Sequence, residues 1–287
     1  MIRFLFRAAM GAALAASLCS GVAVAQQGPK RAITNITGDL YQFRNNFYTS
    51  VFLVTSDGVI ATDPFNADAA KWLKAEIKKR FSQPVKYLIL SHDHPDHSSG
   101  GEVFADTATV IAHENAKHTI VGEKRPTAVP DITFKDGMTV ELGGKTVELS
   151  YVGKNHSDNM IVMRFPAERV LFAVDFIPIG FLAFRTLGDA YIPEWMDWLR
   201  RAEAMDFDIL AQGHGRPGTK ADVAAFRGYM DDLYAAVLAG MRAGKSLDQL
   251  KAGIKLPKYE KWGMYGQWLP ENVEGMYKQI RMHRRPG

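Results

Sequence analysis

Five of the eight histidines in this 287-residue chain, together with two aspartates, fall into an order that suits metal binding. The densest stretch is Ser91-His92-Asp93-His94-Pro95-Asp96-His97-Ser98-Ser99-Gly100-Gly101, directly after the apolar run Val85 to Leu90. Later come His156 in Asn155-His156-Ser157, Asp175 in Ala173-Val174-Asp175, and His214 in Gln212-Gly213-His214-Gly215. His92 and His94 alternate along an extended segment, so both imidazoles can point the same way. Asp96 and His97 follow as the chain turns into a helix, and Gly100-Gly101 permits close backbone approach. Imidazole and carboxylate donors without a thiolate suit two zinc ions, with iron, manganese and nickel left open. His92, His94 and His156 read as one group that leaves a position open for water. Asp96, His97 and His214 read as a second, and Asp175 can bridge them. Two ions about 3.5–4 Å apart can share a hydroxide that is nucleophilic at neutral pH.

The elements that must position these donors follow from periodicity. Ile33 to Thr37 and Leu40 to Phe43 read as strands around Gly38-Asp39, and Val51 to Thr55 and Val59 to Thr62 as a hairpin across Ser56-Asp57-Gly58. Asp68 to Phe81 is amphipathic, with Trp72, Leu73, Ile77 and Phe81 on one side. Val85 to Leu90 is a buried strand, and the histidine motif sits at its C-terminal exit, where α/β sheets assemble sites. Further strands are expected at Thr109 to Ala112, Lys145 to Val152, Met160 to Phe165, Arg169 to Val174 and Ile209 to Ala211. Helices are expected at Glu114 to Ile120, Glu194 to Met205 and Lys220 to Ala243, with a loop-rich aromatic stretch after Gly244 and a last short helix over Gln267 to Gln279. Two similar strand-then-helix halves predict an α/β fold in which helices cover two facing sheets.

The chain divides into a leader over residues 1–25, a main domain over 26–243 and an extension over 244–287 packed on that domain. Arg3 and Arg7, an apolar stretch from Ala8 to Cys19 and Ala23-Val24-Ala25 before Gln26 read as a cleaved signal peptide. Export to the periplasm is the expectation. Cleavage removes Cys19, the single cysteine, so no thiolate competes for metal. It also lowers the formal charge from +4 to +2, which gives no electrostatic case for nucleic acid. No later run is apolar enough to span a bilayer, so no stable membrane span is expected after cleavage. The expected partner is a small-molecule substrate, and a homodimer is left open.

The motif Ser91 to His97 with His156, Asp175 and His214 resembles that of the metallo-β-lactamase fold superfamily. Asp63, in Ala61-Thr62-Asp63-Pro64, matches the early aspartate that supports the site in that family. The resemblance covers roughly Ile33 to Pro217 and implies a four-layer αββα sandwich with the metals at one edge of the sheets. It also implies a metal-dependent hydrolase whose metal-bound hydroxide cleaves an ester, lactone, amide or lactam bond. Asp96 then orients the second metal and helps manage the proton. Dedicated zinc β-lactamases usually place Cys or Ser where Asp175 stands, whereas hydrolases with a bridging aspartate match it. Export points back toward β-lactams. A dedicated or promiscuous β-lactamase, an iron-dependent redox enzyme of the same fold and a non-catalytic periplasmic metal-binding protein are the competing readings.

The remaining residues divide between site and scaffold. His113 reads as a helix-start or packing residue, His118 and His283 as solvated, and Asp93 and Asp158 as turn residues beside the ligands. The apolar run Ile177 to Phe184 suits a pocket wall, a lid or a dimer face. Phe47, Tyr48, Trp262, Tyr265 and Trp268 are candidates for an apolar pocket, and Arg216 and Lys154 for binding an anionic substrate.

Overall fold

Every central strand of the first half is apolar on both faces, and the two faces enter different cores. Val51, Leu53, Ile60, Ile89 and Ile111 pack toward the second sheet. Their neighbours Phe52, Val59, Ala61, Leu88, Val110 and Ala112 pack toward helices. Alternation at period two thus gives each strand two buried surfaces, and the chain must supply a sheet on one side and helices on the other.

It does so in a computed structural model that describes Gly28 and residues 30–283. The expected signal peptide and the tail arginines Arg284 and Arg285 lie outside the described residues. The first sheet runs in chain order: β1 (Arg31–Thr37), β2 (Leu40–Asn45), β3 (Tyr48–Thr55), β4 (Gly58–Thr62), β5 (Val85–Ile89), β6 (Thr109–His113) and β7 (Ile132–Phe134). β1 to β4 pair antiparallel, and β4 to β7 are parallel. The second sheet has the order β12-β11-β10-β9-β8, built from β8 (Gly137–Leu142), β9 (Lys145–Tyr151), β10 (Ile161–Phe165), β11 (Val170–Phe172) and β12 (Ile209–Ala211).

α1 (Ala67–Phe81) and α3 (Glu114–Gly122) cover the outer face of the first sheet through Ala69, Leu73, Ile77, Ala116 and Ile120. α4 (Ile192–Ala204), α5 (Lys220–Arg242) and α7 (Tyr265–His283) contribute Trp195, Leu199, Phe226, Leu233, Val273 and Met276 to the core of the second. The four layers are those expected. Among the described residues no helix is long and apolar enough to cross a membrane.

Three differences from the sequence reading have physical reasons. β7 and β8 escape the period-two pattern because they are edge strands with largely exposed side chains. The stretch after Gly244 is more helical than expected. Ser246 and Gln249 form a reciprocal capping box that starts α6 (Leu247–Gly253). α7 runs from Tyr265 to His283, longer at both ends than the helix expected over Gln267 to Gln279. The strand expected over Arg169 to Val174 ends at Phe172, and Val174 turns away with φ 49°.

β5 delivers the motif. After Ile89 the chain leaves the sheet and enters the four-residue helix α2 (Pro95–Ser98), which carries Asp96 and His97. Gly100 ends this passage at φ 90°, where a Cβ would sit 2.3 Å from the Asn66 carbonyl carbon, just ahead of α1. Gly100→Ala is expected to destabilise the fold by about 2 kcal/mol or more, since left-handed strain adds to a backbone clash. Chemical denaturation checks this, and an unchanged midpoint would show that the turn relaxes freely.

Candidate metal centre

Asp63 is the fixed point beneath the site. It follows β4, is fully buried and adopts φ 31°. Its Oδ1 accepts from Ser91 N at 2.8 Å, and its Oδ2 from Ser91 Oγ at 2.7 Å and from His97 Nδ1 at 2.9 Å. Burying a carboxylate costs several kcal/mol, and three hydrogen bonds to a charge at about 1.5–3 kcal/mol each offset that. The His97 contact has a chemical consequence. With its Nδ1 proton held on Asp63, His97 turns Nε2 toward the other donors. Ser91 Oγ lies 2.9 Å from His92 Nδ1 and orients that ring in the same way.

All seven sequence-predicted donors converge. One ligand atom from each of His92, His94 and His156 lies within 4.8 Å of the others, and the same holds for Asp96, His97, Asp175 and His214. His94 Nδ1 and His156 Nε2 are 3.0 Å apart, and His97 Nε2 and His214 Nε2 are 3.2 Å apart. Asp175 Oδ2 stands between the groups, 3.2 Å from His214 Nε2, 3.4 Å from His97 Nε2 and 3.5 Å from His156 Nε2. Asp96 Oδ2 is 3.7 Å from His214 and 3.8 Å from His97, and its side chain is partly open to solvent. Gly213 permits the approach of the strand ends, because a Cβ there would lie 2.5 Å from Asp175 Oδ1 and 2.7 Å from His97 Cε1.

The electrostatics fit a cation. Burial disfavours charge on His92, His97 and His94 push the same way, and its pKa lies well below the usual histidine value. Burial also dominates at His156, with Asp175 opposing and His94 assisting, and lowers it to about 4. Both rings are therefore neutral, as ligation requires. Burial alone would lower His97, but Asp175 and Asp63 outweigh it and hold it well above its ordinary value. Burial would raise Asp175, but His97 and His214 keep it well below the usual carboxylate range. The second group thus favours positive charge. His92 Nε2 and Asp175 Oδ1 are buried with no hydrogen-bond partner, and leaving such atoms unsatisfied costs about 1–3 kcal/mol each. A divalent ion held with His94 and His156 would satisfy His92 Nε2, and the two groups of donors fit two metals.

Aromatic side chains frame the cluster. Phe47, half exposed, stacks on His214 with centroids 5.1 Å apart. Phe184, also half exposed, packs edge-on to His156 at 5.7 Å and against Trp268 at 5.3 Å. The rest of the run Ile177 to Phe184 divides differently, since Ile177, Ile179, Leu182 and Ala183 are core residues. Tyr48 lies edge-on to His214, whereas Trp262 and Tyr265 pack against the core.

The cations considered from the sequence lie at the surface, and the charge of Lys154 acts on Asp189 of the cavity wall. Arg216 pairs with Asp222 at the surface, and exposed Lys154 uses its backbone N–H to bind Glu194. The cation that lines the cavity with His94 and His156 is Arg185, with Asp189 nearby; the cavity has a volume of about 200 Å³. Neither was singled out from the sequence, because no periodic pattern marks the loop that carries them.

His113 caps α3, its Nε2 meets Lys135 O at 2.8 Å, and it stacks on Tyr151, as a helix-start and packing residue should. His118 and His283 are exposed. Asp93 pairs with Arg125 at 3.2 Å and accepts from Asn159 Nδ2, while the Asp158 carbonyl accepts from Tyr151 and Asn115.

Comparison with known proteins agrees with this fold. A family model described as the metallo-beta-lactamase superfamily matches residues 38–214. The alpha subunit of 2,4-dinitroanisole O-demethylase from Nocardioides sp. (strain JS1661) is 26% identical over 238 residues, covering 81% of this chain and 72% of that protein. A type 2 metallo-beta-lactamase from Elizabethkingia meningoseptica is 29% identical over 195 residues, covering 63% of this chain and 77% of its own. Among solved structures, a stereoselective inverting sec-alkylsulfatase from Pseudomonas sp. superposes with a TM-score of 0.74 at 17% identity, over 89% of this chain and 52% of the other.

Asp63→Asn replaces one acceptor oxygen with an N–H donor, so the side chain cannot accept from both Ser91 N and His97 Nδ1, and its hold on the His97 tautomer weakens. Metal affinity is expected to fall about 10–100-fold, measured by competition with a chromophoric chelator. Wild-type affinity in this variant would mean that Asp63 does not set the His97 tautomer.

Proposed function

We propose, for a chain that belongs to the metallo-beta-lactamase superfamily, that it is an exported hydrolase holding two zinc ions and cleaving an ester, lactone, amide or lactam bond. The observation that carries this reading is the shared position of Asp175 Oδ2, within 3.5 Å of donors from both groups. His92, His94 and His156 would hold one ion, Asp96, His97 and His214 the other, and Asp175 would touch both. When bound, such a pair supplies Lewis acidity and a water acidified toward neutral pH.

The chain's own residues do the rest. Asp63 and Ser91 fix two of the ligand rings, so the donors are preorganised. Asp96, which stands closest to solvent of the two carboxylates, is placed to orient the nucleophilic water and to take its proton. Phe47 and Phe184 flank the donors and offer apolar surface to a substrate body while keeping bulk water out. Arg185 offers positive charge to an anionic group. No cysteine lies among the described residues, so nitrogen and oxygen donors alone select the metal, and zinc suits them.

The named relatives include an O-demethylase, a β-lactamase and an alkylsulfatase. One fold thus recurs in proteins named for different bonds, and the walls around the donors would select the bond. The E. meningoseptica relative supports β-lactams as one class to test. The complete donor set supports an enzyme over a non-catalytic metal-binding protein.

His94→Ala and Asp96→Ala are expected to lower kcat/KM by about 10³-fold or more while the fold is retained. The assay is hydrolysis of a chromogenic cephalosporin, an aryl ester, a lactone and a phosphotriester. Chelation should abolish turnover of the active substrate and added zinc should restore it. Wild-type rates in either variant, or turnover that survives chelation, would overturn the mechanism.

A further inference from the structure

Residues 184–189 form one wall of the cavity beside His94 and His156, and side chains far along the chain hold the backbone of the segment 183–188. Asn272 of α7 is fully buried. Its Nδ2 donates to Ala183 O at 2.9 Å and Arg185 O at 2.6 Å, and its Oδ1 accepts from the Tyr229 hydroxyl of α5. Two turns later, Gln279 Nε2 donates to Leu187 O at 3.0 Å and Gly188 O at 3.1 Å. Between them Gly275 lies so near the segment that an added Cβ would sit 2.1 Å from Thr186 O. Positions 272, 275 and 279 share one helical face.

What this face holds is strained. Arg185 has φ 45° and Leu187 has φ 53°. Side chains other than glycine avoid that region, and such residues persist only where their surroundings over-determine them. Asn272 and Gln279 supply that determination, because a primary amide offers two N–H donors and can reach two carbonyls at once. A carboxylate of the same shape offers none and would face oxygens. On its other side the same segment turns Phe184 and Arg185 to the cavity, with the Arg185 guanidinium 5.6 Å over the Phe184 ring.

We propose that the α7 face formed by Asn272, Gly275 and Gln279 is a positioning device for the substrate pocket, which holds Phe184 and Arg185 in register with His94 and His156. Its kinetic consequence rests on the hydrolase reading, and its structural consequence does not. Asn272 and Gln279 are positioning residues. They act on the pocket wall and not on the seven metal donors, so they set substrate affinity more than the bond-breaking step.

The test compares the mature protein with its Asn272→Asp and Gln279→Leu variants by limited trypsin digestion, metal content and steady-state kinetics. Cleavage after Arg185 is expected to quicken about tenfold or more in both variants, since proteolysis reads the open population of a segment. Cleavage after exposed Lys245 and metal content should stay at wild-type levels. On the panel substrate that the wild type turns over best, KM should rise about tenfold while kcat stays within about threefold. Adding Arg185→Ala to Asn272→Asp should raise KM less than about twofold further, because each change takes the Arg185 guanidinium from its place in the cavity wall. Unchanged cleavage after Arg185 in both variants would overturn the proposal, as would a loss of kcat and metal at constant KM. Should Asn272→Asp not fold, Gln279→Leu decides alone. A wild type inert on the whole panel would refute the hydrolase reading, and the tryptic result would still decide whether α7 holds the segment.

Discussion

A buried carboxylate that cannot be left unpaired organises this molecule. Asp63 sits at the exit of β4, and its acceptors are taken by Ser91 at the exit of β5 and by His97 in α2. Those contacts join neighbouring strand ends and decide which nitrogen of His97 faces the cluster. The second sheet brings its own strand exits opposite, with Asp175 beyond β11 and His214 beyond β12, and Gly213 gives them room. Ligand geometry is therefore a property of the sandwich edge, set by where strands stop.

The crowding at this edge explains its electrostatics. Imidazole nitrogens stand 3.0–3.2 Å apart, and a carboxylate oxygen of Asp175 stands between the two groups. Asp175 and Asp63 raise the pKa of His97, and His97 and His214 lower that of Asp175, while burial keeps His92 and His156 neutral. A cluster tuned only for stability would gain from replacing some donors with apolar side chains. Retention of all seven is consistent with a role for the positive charge they attract.

The donors were legible in the sequence because histidine and aspartate at strand exits carry chemistry in their type and spacing. Asp63 was legible only through family resemblance, since a lone aspartate before proline otherwise reads as a turn. The central strands were legible from period-two alternation, whereas β7 and β8 were not, being short and exposed at sheet edges. Arg185 was passed over in favour of Arg216 and Lys154, which stand beside ligands in sequence. In space, the turn after Ala183 carries Arg185 into the cavity wall. Asn272 and Gln279 look like ordinary polar positions of an amphipathic helix, and only the carbonyls of a segment some ninety residues away reveal their role.

The central claim is that two donor groups hold two ions and share Asp175. The most direct measurement is metal content per chain of the purified protein, by elemental mass spectrometry, for the wild type and for Asp175→Ala. The account predicts about two zinc ions per wild-type chain and a marked loss of bound metal in the variant. One ion per chain that survives Asp175→Ala, or iron in place of zinc, would contradict it.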